Sequence, residues 1–277
     1  MTRKPTISFL GAGALATGMA QALHAAGYTI TEVAGRHRRR AEALARKVGS
    51  QAATPETARW DSDVVWIAVS DDAIAGCAAE LAKARSWKGV TVLHSAGALA
   101  SDVLRPLKRR GAAVASLHPM MSFVAGRQTD LRDVWFAVEG DAAAVRVALS
   151  FVKAVGGRTL KIAKDKKALY HAFGAMVSPL IVSQLRAAEG VAAEAGIRAR
   201  DAQQIMHPIV ERTIANYFAA GAQAAFSGPM LRGDVKTIEK HLRSLRGDEA
   251  EVYRTLARYA VKKLKVGRKR ELEKLLR

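Results

Sequence analysis

The sequence contains one cysteine and no long apolar run. Cys77 is the only cysteine among 277 residues, so no disulfide can form within the chain. Residues 1–5 lead into the first apolar run without the apolar core of a signal peptide. No uninterrupted apolar stretch approaches the roughly 20 residues of a membrane helix. We therefore expect a cytoplasmic protein that does not span a membrane.

Acidic residues are scarce relative to basic ones. The chain has 25 Asp and Glu against 44 Lys and Arg, a formal net charge of +19. Clustered Lys and Arg are the electrostatic signature of nucleic-acid binding. The clusters at 36–40, 164–167 and 262–277, however, lack interleaved aromatic residues and any zinc, homeodomain or RNA-recognition signature. This favours a solvated basic surface over specific nucleic-acid binding, and we expect no bound metal.

The first 162 residues have the pattern of an α/β domain. Short apolar runs alternate with helical segments, which predicts parallel strands joined by crossover helices on both faces of a sheet. The run Val64–Val69 has no polar alternation, as expected for a strand covered on both sides. The predicted strands are 6–10, 29–34, 64–69, 90–94, 112–117, 135–139 and 158–162.

Beyond Ala163 the chain is rich in Ala, Leu, Glu, Lys and Arg and has no strand candidate. We predict helices at 165–195 with a kink near Pro179, and at 200–220, 234–245, 248–264 and 268–276. Since the chain exceeds the usual single-domain length, we expect two domains, 1–163 and 164–277. The fold class is thus an α/β domain followed by an all-α domain.

A glycine-rich loop follows the first predicted strand and opens a helix. In Gly11-x-Gly13-x-x-Ala16 the first glycine allows a tight turn, the second lets the backbone approach a pyrophosphate, and the small third residue lets helix and strand pack closely. This context predicts a dinucleotide-binding Rossmann domain rather than a turn without ligand. The predicted pyrophosphate contacts are Gly11, Ala12, Gly13, Ala14, Leu15 and Ala16.

The end of the second strand decides between NAD and NADP. An acidic side chain there would bind the adenosine ribose of NAD, whereas basic side chains would bind the phosphate of NADP. Glu32 has about the right spacing for the acid, but we expect it within the strand. Gly35, Arg36 and Arg38 follow the strand, so we favour NADP over NAD.

Two further strand ends belong to the predicted cofactor site, because open α/β sheets bind ligands at the carboxyl ends of their strands. Ala68, Val69 and Ser70 should line the cofactor, with Asp71 or Asp72 capping the next helix. Ser95, Ala96 and Gly97 fall near the expected nicotinamide position. Ser95 would either orient the substrate or cap a helix.

Histidines supply the candidate proton donors. His118 ends a predicted strand before Pro119, and an imidazole with its ordinary pKa of about 6.5 suits proton transfer, although it could instead bond a backbone carbonyl. Tyr170, His171 and Ser178 interrupt an apolar helix, with His171 and Ser178 on one face. They are candidates for catalysis (His171) and substrate contact (Tyr170, Ser178), or are polar residues satisfied within a core.

A loop over 226–234 contains two glycines, Pro229 and Arg232, and Asp234 is placed to cap the following helix. The guanidinium of Arg232 could hold a substrate carboxylate in a bidentate manner. The alternative is a turn with a surface arginine.

Six motifs in order resemble those of bacterial Rossmann-like proteins joined to domain of unknown function 2520. They are GAGALA, AVSDDAI, HSAGAL, SLHPMMSF, LYHAFGAMVSP and SGPMLRGDVKTIEKHL. The resemblance implies an NADP-binding domain followed by a helical domain like that of 6-phosphogluconate dehydrogenase and pyrroline-5-carboxylate reductase, with dimers formed through the helices. Some members look like a second class of ketopantoate reductase. Relatives commonly have Ser-Asn where this chain has Ser178-Pro179.

The expected function is that of an NADP-dependent oxidoreductase that transfers hydride to or from the C=N or C=O group of a small carboxylate. His118 or His171 would donate the proton, Ser95 orient the substrate and Arg232 bind its carboxylate. Two alternatives remain open. The chain could be a non-catalytic NADP sensor whose Pro179 marks lost chemistry, or an oxidising enzyme, because the segment at His118 is also similar to one in prephenate dehydrogenases.

Overall fold

The computed structural model describes residues 3–127 and 129–277, which divide into two compact units, Met1–Ala175 and Met176–Arg277. All strands found in the described residues belong to one sheet of the first unit, in the order β3-β2-β1-β4-β5-β6-β7-β8. Their bounds are β1 Ile7–Leu10, β2 Ile30–Ala34, β3 Gln51–Ala53, β4 Val64–Ile67, β5 Thr91–His94, β6 Ala113–Pro119, β7 Trp135–Gly140 and β8 Arg158–Lys161.

Helices of the first unit cover both faces of this sheet. They are α1 Ala14–Ala25, α2 Arg38–Lys47, α3 Asp71–Ala84, α4 Arg105–Arg109, α5 Ala142–Ala154 and α6 Lys167–Val177. Because successive side chains of a strand point to opposite faces, β4 contributes to two cores. In one core, Trp66 stacks with Phe9 and Phe151, with ring centroids 5.5 and 5.8 Å apart. Val65 and Ile67 pack in the other hydrophobic core. The predicted burial of β4 on both sides is confirmed.

The strand directions agree with the prediction for β1 to β6 and differ beyond. β6 and β7 are antiparallel, and β8 is parallel to β7. The described residues of the connection 120–134 contain no helix, so no crossover returns the chain to the other end of the sheet. β3 was not predicted. It consists of one glutamine and two alanines, residues that do not favour a strand, and it lies at the exposed edge of the sheet.

The first unit extends twelve residues beyond the expected domain boundary at 163. The reason lies in α6, whose Lys167 and Tyr170 form hydrogen bonds with Ala96, Ser116 and His118 of the sheet and its loops. These bonds tie the helix to the strands of the first unit.

The second unit is all-helical, as predicted. Its helices are α7 Pro179–Glu194, α8 Ala199–Ala220, α9 Ala222–Ala225, α10 Pro229–Arg232, α11 Val235–Ser244, α12 Gly247–Lys263 and α13 Lys269–Leu275. A small core forms around Ile238, Val261 and Leu272. The expected break at Pro179 is present, since Ser178 leaves the helical region (φ −135°, ψ −87°) and Pro179 begins α7.

Many apolar side chains of α7 and α8 are exposed, among them Leu180, Val182, Ile205, Ile209 and Phe218, the last with 81% of its surface accessible. Within the described residues, one helical run, Lys164–Glu194, is long and apolar enough to cross a membrane by length and composition alone. No run of this kind was predicted, because Gly, Ser and charged residues interrupt the apolar sequence.

Candidate functional site

The loop after β1 has the backbone of a pyrophosphate-binding turn. Gly11 has φ +119°, and a Cβ there would lie 2.2 Å from the Ala68 carbonyl oxygen, so no other residue fits. Gly13 is the N-cap of α1, and a Cβ there would meet nothing within 4 Å. Ala16 is fully buried against the core. The turn, the open approach and the close packing are therefore all present.

A cavity of about 970 Å³ runs along the carboxyl ends of β1, β2 and β4 from this loop. Its volume lies at the upper end of the range for small-molecule sites. Of the predicted cofactor contacts it is lined by Gly11, Ala12, Gly13, Ala14, Leu15, Gly35, Arg36, Ala68, Val69 and Ser70. Ala16, Arg38, Ser95, Ala96 and Gly97 do not line it.

The side chains after β2 that line the cavity differ from the prediction at positions 37, 38 and 40. Arg36, His37 and Arg40 line the cavity, whereas the Arg38 guanidinium donates to Glu42 Oε1 at 2.8 Å on the exposed surface of α2. Arg38 and Glu42 are four residues apart and therefore share a helix face. The charge of Arg36 acts on Cys77 of α3, where burial, the larger effect, raises the pKa of the thiol.

Glu32 lies within β2, as expected, and is not at the strand tip. Its buried carboxylate accepts hydrogen bonds from the backbone N–H groups of Arg59 at 3.1 Å and Trp60 at 3.4 Å. The carboxylate is thus engaged with a neighbouring loop, which agrees with the basic rather than acidic character of the strand end.

Asp71 and Asp72 lie inside the first turn of α3, with Ser70 as the N-cap residue. No side chain makes a capping hydrogen bond there, so the expected capping role of Asp71 or Asp72 is wrong. Both carboxylates can still interact favourably with the amino end of the helix.

A second cluster of polar side chains forms at the carboxyl ends of β5 and β6. His118 Nδ1 lies 3.0 Å from the Tyr170 hydroxyl oxygen, and the rings of His118 and His171 meet edge-on at 5.8 Å. A Cβ on Gly97 would lie 2.3 Å from His171 Cδ2 and 2.8 Å from His118 Nε2. The absence of a side chain at Gly97 therefore permits both imidazoles to approach the same turn.

Ser95 stands beside this cluster and does not cap a helix. Its Oγ accepts a hydrogen bond from Trp66 Nε1 at 2.8 Å in a buried position. The serine O–H is therefore still able to donate to another group.

Lys167 is a buried member of the cluster that the sequence analysis missed. The side chain is 1% exposed, and its Nζ donates to the Ala96 carbonyl at 3.0 Å and to Ser116 Oγ at 2.6 Å. Burial lowers the pKa of Lys167 to about 8, opposed by the charges of Glu139 and Asp71. Its spacing, three and four residues before Tyr170 and His171, could have revealed it, because such positions share a helix face.

The imidazole of His118 is neutral at neutral pH. Burial and then the charges of Lys167 and His171 lower its pKa to about 4, so the expectation of an ordinary value does not hold. Burial raises the pKa of Tyr170 to about 12. His94, one strand away, is buried and has its pKa lowered to about 3, chiefly by burial; among the described residues its Nε2 has no hydrogen-bond partner.

Two predicted substrate contacts belong to the second unit. Ser178 precedes α7, and Arg232 ends α10. The Arg232 guanidinium donates to Asp234 Oδ2 from Nε at 2.9 Å, with its terminal nitrogen 2.7 Å from the same oxygen. Asp234 is the N-cap residue of α11, as predicted, but its carboxylate engages Arg232 and makes no side-chain cap bond to the helix. The pair is largely exposed and therefore weak enough to exchange.

No group of three or more His, Cys, Asp or Glu side chains placed to hold a metal ion occurs in the part of the chain that the structure describes. The groups that the structure places at the carboxyl ends of β5 and β6 are hydroxyls, imidazoles and one buried ammonium.

Residues 6–97 match the family described as NADP oxidoreductase, coenzyme F420-dependent, and residues 134–260 match the domain of unknown function DUF2520. The chain joins an oxidoreductase Rossmann domain to a DUF2520 domain. The resemblance drawn from the six motifs is thus confirmed. A search of curated proteins found no significant match to the chain.

Solved structures share the fold of this DUF2520 protein over nearly its whole length. A candidate NADP oxidoreductase from Bacteroides fragilis is 20% identical, with a TM-score of 0.80 and 98% of each chain covered. A pyrroline-5-carboxylate reductase from Coxiella burnetii is 16% identical (TM-score 0.60; 99% of this chain and 95% of that one). An imine reductase variant from Myxococcus stipitatus, in complex with NAD⁺, is 19% identical (TM-score 0.65; 99% of each). At these identities the similarity establishes the fold.

Proposed function

We propose that this protein is an NADPH-dependent reductase of a small compound with a C=N or C=O group. The observation that carries the proposal is the cluster of His118, Tyr170 and His171 at the carboxyl ends of the strands, the same side of the sheet as the glycine-rich loop. β6 lies three strands from β1, about 14 Å at ordinary inter-strand spacing. A cofactor held by the loop could therefore extend along this edge toward the cluster.

The cavity suits NADP through its two kinds of donor. Backbone N–H groups around Gly13 at the start of α1 favour a pyrophosphate, and Arg36 and Arg40 offer positive charge where β2 ends. When bound, the cofactor supplies a hydride, which carries two electrons to the substrate carbon. Glu32 is bonded to the backbone of Arg59 and is therefore not free to act as the acidic partner that favours NAD.

The polar cluster fits a substrate that arrives already protonated. An iminium carbon that accepts a hydride becomes a neutral amine without a further proton, whereas a carbonyl must also gain one. A neutral His118 is a hydrogen-bond donor or acceptor rather than a ready source of a full proton. We therefore favour C=N over C=O, in agreement with the pyrroline-5-carboxylate and imine reductases of the same fold.

The remaining roles follow from the same arrangement. Ser95 would orient the substrate by accepting a hydrogen bond from an iminium N–H, and His171 would contact the substrate beside Gly97. Independently of this arrangement, the guanidinium of Arg232 in the second unit is a candidate for binding a substrate carboxylate, which matches its fork as well as the Asp234 carboxylate does.

The test has two stages with purified protein. Calorimetry with NADPH and NADH should give tighter binding of NADPH, and a screen of cyclic imines, amine and ketone pairs and keto acids should reveal NADPH oxidation. No binding of NADPH at millimolar concentration would overturn the proposal. Binding without turnover of any substrate class would instead indicate a nucleotide sensor.

A further inference from the structure

Helix α6 presents three polar side chains to the ends of β5 and β6. Lys167, Tyr170 and His171 have the spacing of residues on one helix face. The first two contact groups of the sheet rather than the space beside Gly97. Lys167 in particular is fully enclosed, so in this geometry its ammonium cannot reach a substrate.

The ammonium of Lys167 lies between the two strand ends that carry the candidate catalytic groups. Its first acceptor, the Ala96 carbonyl, follows Ser95 directly, and its second, Ser116 Oγ, lies two residues before His118 on β6. One side chain thus ties the turn after β5 to the end of β6.

The surroundings of the His118 ring disfavour a second proton on the imidazole. The titratable groups that act on it are His94 from β5 and Lys167, Tyr170 and His171 from α6. Glu139 of β7 acts on Lys167, and its carboxylate accepts from the N–H and Oγ of Ser101, both at 2.7 Å. A half-buried imidazole beside a positive charge is more stable in its neutral form.

Tyr170 decides which ring nitrogen carries the single proton. Its hydroxyl lies 3.0 Å from His118 Nδ1 and 3.5 Å from the His118 carbonyl oxygen, so Nδ1 is the closer acceptor. A phenol that stays protonated donates to Nδ1, and the ring proton then resides on Nε2. Nε2 is the atom that approaches the turn at Gly97.

We propose that Lys167 and Tyr170 are positioning residues for His118: the charge of Lys167 acts together with burial to keep the ring neutral, and Tyr170 places its proton on Nε2, directed toward the turn at Gly97. A neutral imidazole in this form donates a hydrogen bond from Nε2, without losing its proton, to a carbonyl oxygen or to the carboxylate of an iminium substrate. The consequence for catalysis rests on the proposed function, whereas the charge and tautomer of His118 do not.

Two-dimensional ¹H–¹⁵N spectra of histidine side chains in the full-length protein test this assignment without a substrate. The His118 signals are identified with His118→Gln. In the wild type we expect a neutral ring at about pH 6 with the proton on Nε2. A ring that is charged there, or that carries its proton on Nδ1, would overturn the proposal whatever the variants do.

Variants of Lys167 and Tyr170 test separately the two proposed roles, which are to set the charge of His118 and the position of its proton. Lys167→Gln should increase the proton affinity of His118 about tenfold or more, because a positive charge is removed from its surroundings. Tyr170→Phe should leave the charge state and shift the proton toward Nδ1. The matched control is Lys166→Gln, the loss of a neighbouring lysine paired with Asp165 at the surface, which should change neither.

The same protein sample distinguishes failure of the positioning proposal from failure of the proposed reductase function. If His118 titrates identically in the wild type and in Lys167→Gln, the positioning role is refuted even for a protein that reduces imines. If the spectra agree with the proposal while NADPH is bound but nothing is reduced, only the proposed reaction fails.

Discussion

Two glycines fix the backbone at the two ends of the candidate site. At Gly11 the positive φ and the Ala68 carbonyl exclude a side chain, and at Gly97 the two imidazoles occupy the space that a Cβ would need. Neither constraint comes from a hydrogen bond of the glycine itself. Substitution at either position would therefore displace neighbours that the proposed chemistry requires.

Two arginines that follow β2 are predicted to differ in their effect on the choice between NADPH and NADH. Arg36→Ala should weaken NADPH binding by about tenfold or more and leave NADH binding nearly unchanged, because a charged hydrogen bond to the extra phosphate is worth roughly 1.5–3 kcal/mol. Arg38→Ala is the control, since its guanidinium pairs with Glu42 outside the cavity. Equal losses for the two cofactors, or an equal effect of Arg38→Ala, would contradict the assignment of Arg36.

At the scale of elements, the side chain of Lys167 holds α6 on the sheet, although its burial in the fold disfavours the charged ammonium form. The ordinary pKa of lysine is 10.5, and in the folded protein that of Lys167 is about 8. Between these values the unfolded chain retains the proton and the folded chain does not, so stability increases with pH in this window. Below about pH 8 both states are charged and the contribution of Lys167 is constant.

The corresponding prediction compares the wild type with Lys167→Met in urea unfolding from about pH 7.5 to 10.5. The free energy of unfolding of the wild type should increase relative to the variant by roughly 3 kcal/mol, the equivalent of the pKa difference. Cys77 and the tyrosines titrate in both proteins and cancel. Lys166→Met, an exposed position, should show no such difference; parallel curves for the wild type and Lys167→Met would refute the lowered pKa.

The sequence was most informative where an element is continuous and buried. Strands such as Val64–Ile67 and the glycine loop follow from local pattern, and the order of the strands brings Ser95 and His118 to one edge. Lys167 was missed because a lysine at the end of Lys164-Asp165-Lys166 has the pattern of a solvated surface. The low pKa of His118 depends on that buried charge, so local sequence could not indicate it. Arg38 was misjudged because its partner Glu42 lies one helical turn away.

At the scale of the whole molecule, the second unit exposes more apolar surface than its small core covers. We propose that a second copy of the chain covers α7 and α8, consistent with the dimers implied by the resemblance to DUF2520 proteins. A stable homodimer requires about 1,600 Å² or more of buried surface, and two long apolar helices per chain can supply it.

Light scattering after gel filtration should give twice the chain mass of 29.7 kDa. Ile209→Asp should shift the protein to the monomer, because a carboxylate would be buried in an apolar interface. Thr237→Asp on the exposed face of α11 is the matched control and should leave the dimer intact. A wild-type monomer would refute the dimer, and co-sedimentation of that monomer with lipid vesicles would identify a membrane as the partner of the apolar run instead.

The single cysteine of the chain lies in the wall of the cavity, on α3 opposite the arginine-rich strand end. Alkylation of Cys77 therefore reports whether the cavity is occupied by a ligand, and no other cysteine contributes to the measurement. NADPH should slow its modification by a maleimide at least severalfold at near-neutral pH, where the reagent prefers thiols to amines, because the bound cofactor would cover the thiol. Mass spectrometry would give the modified fraction, and an unchanged rate at saturating NADPH would place the cofactor elsewhere. Candidate ligands can thus be ranked before any substrate is known.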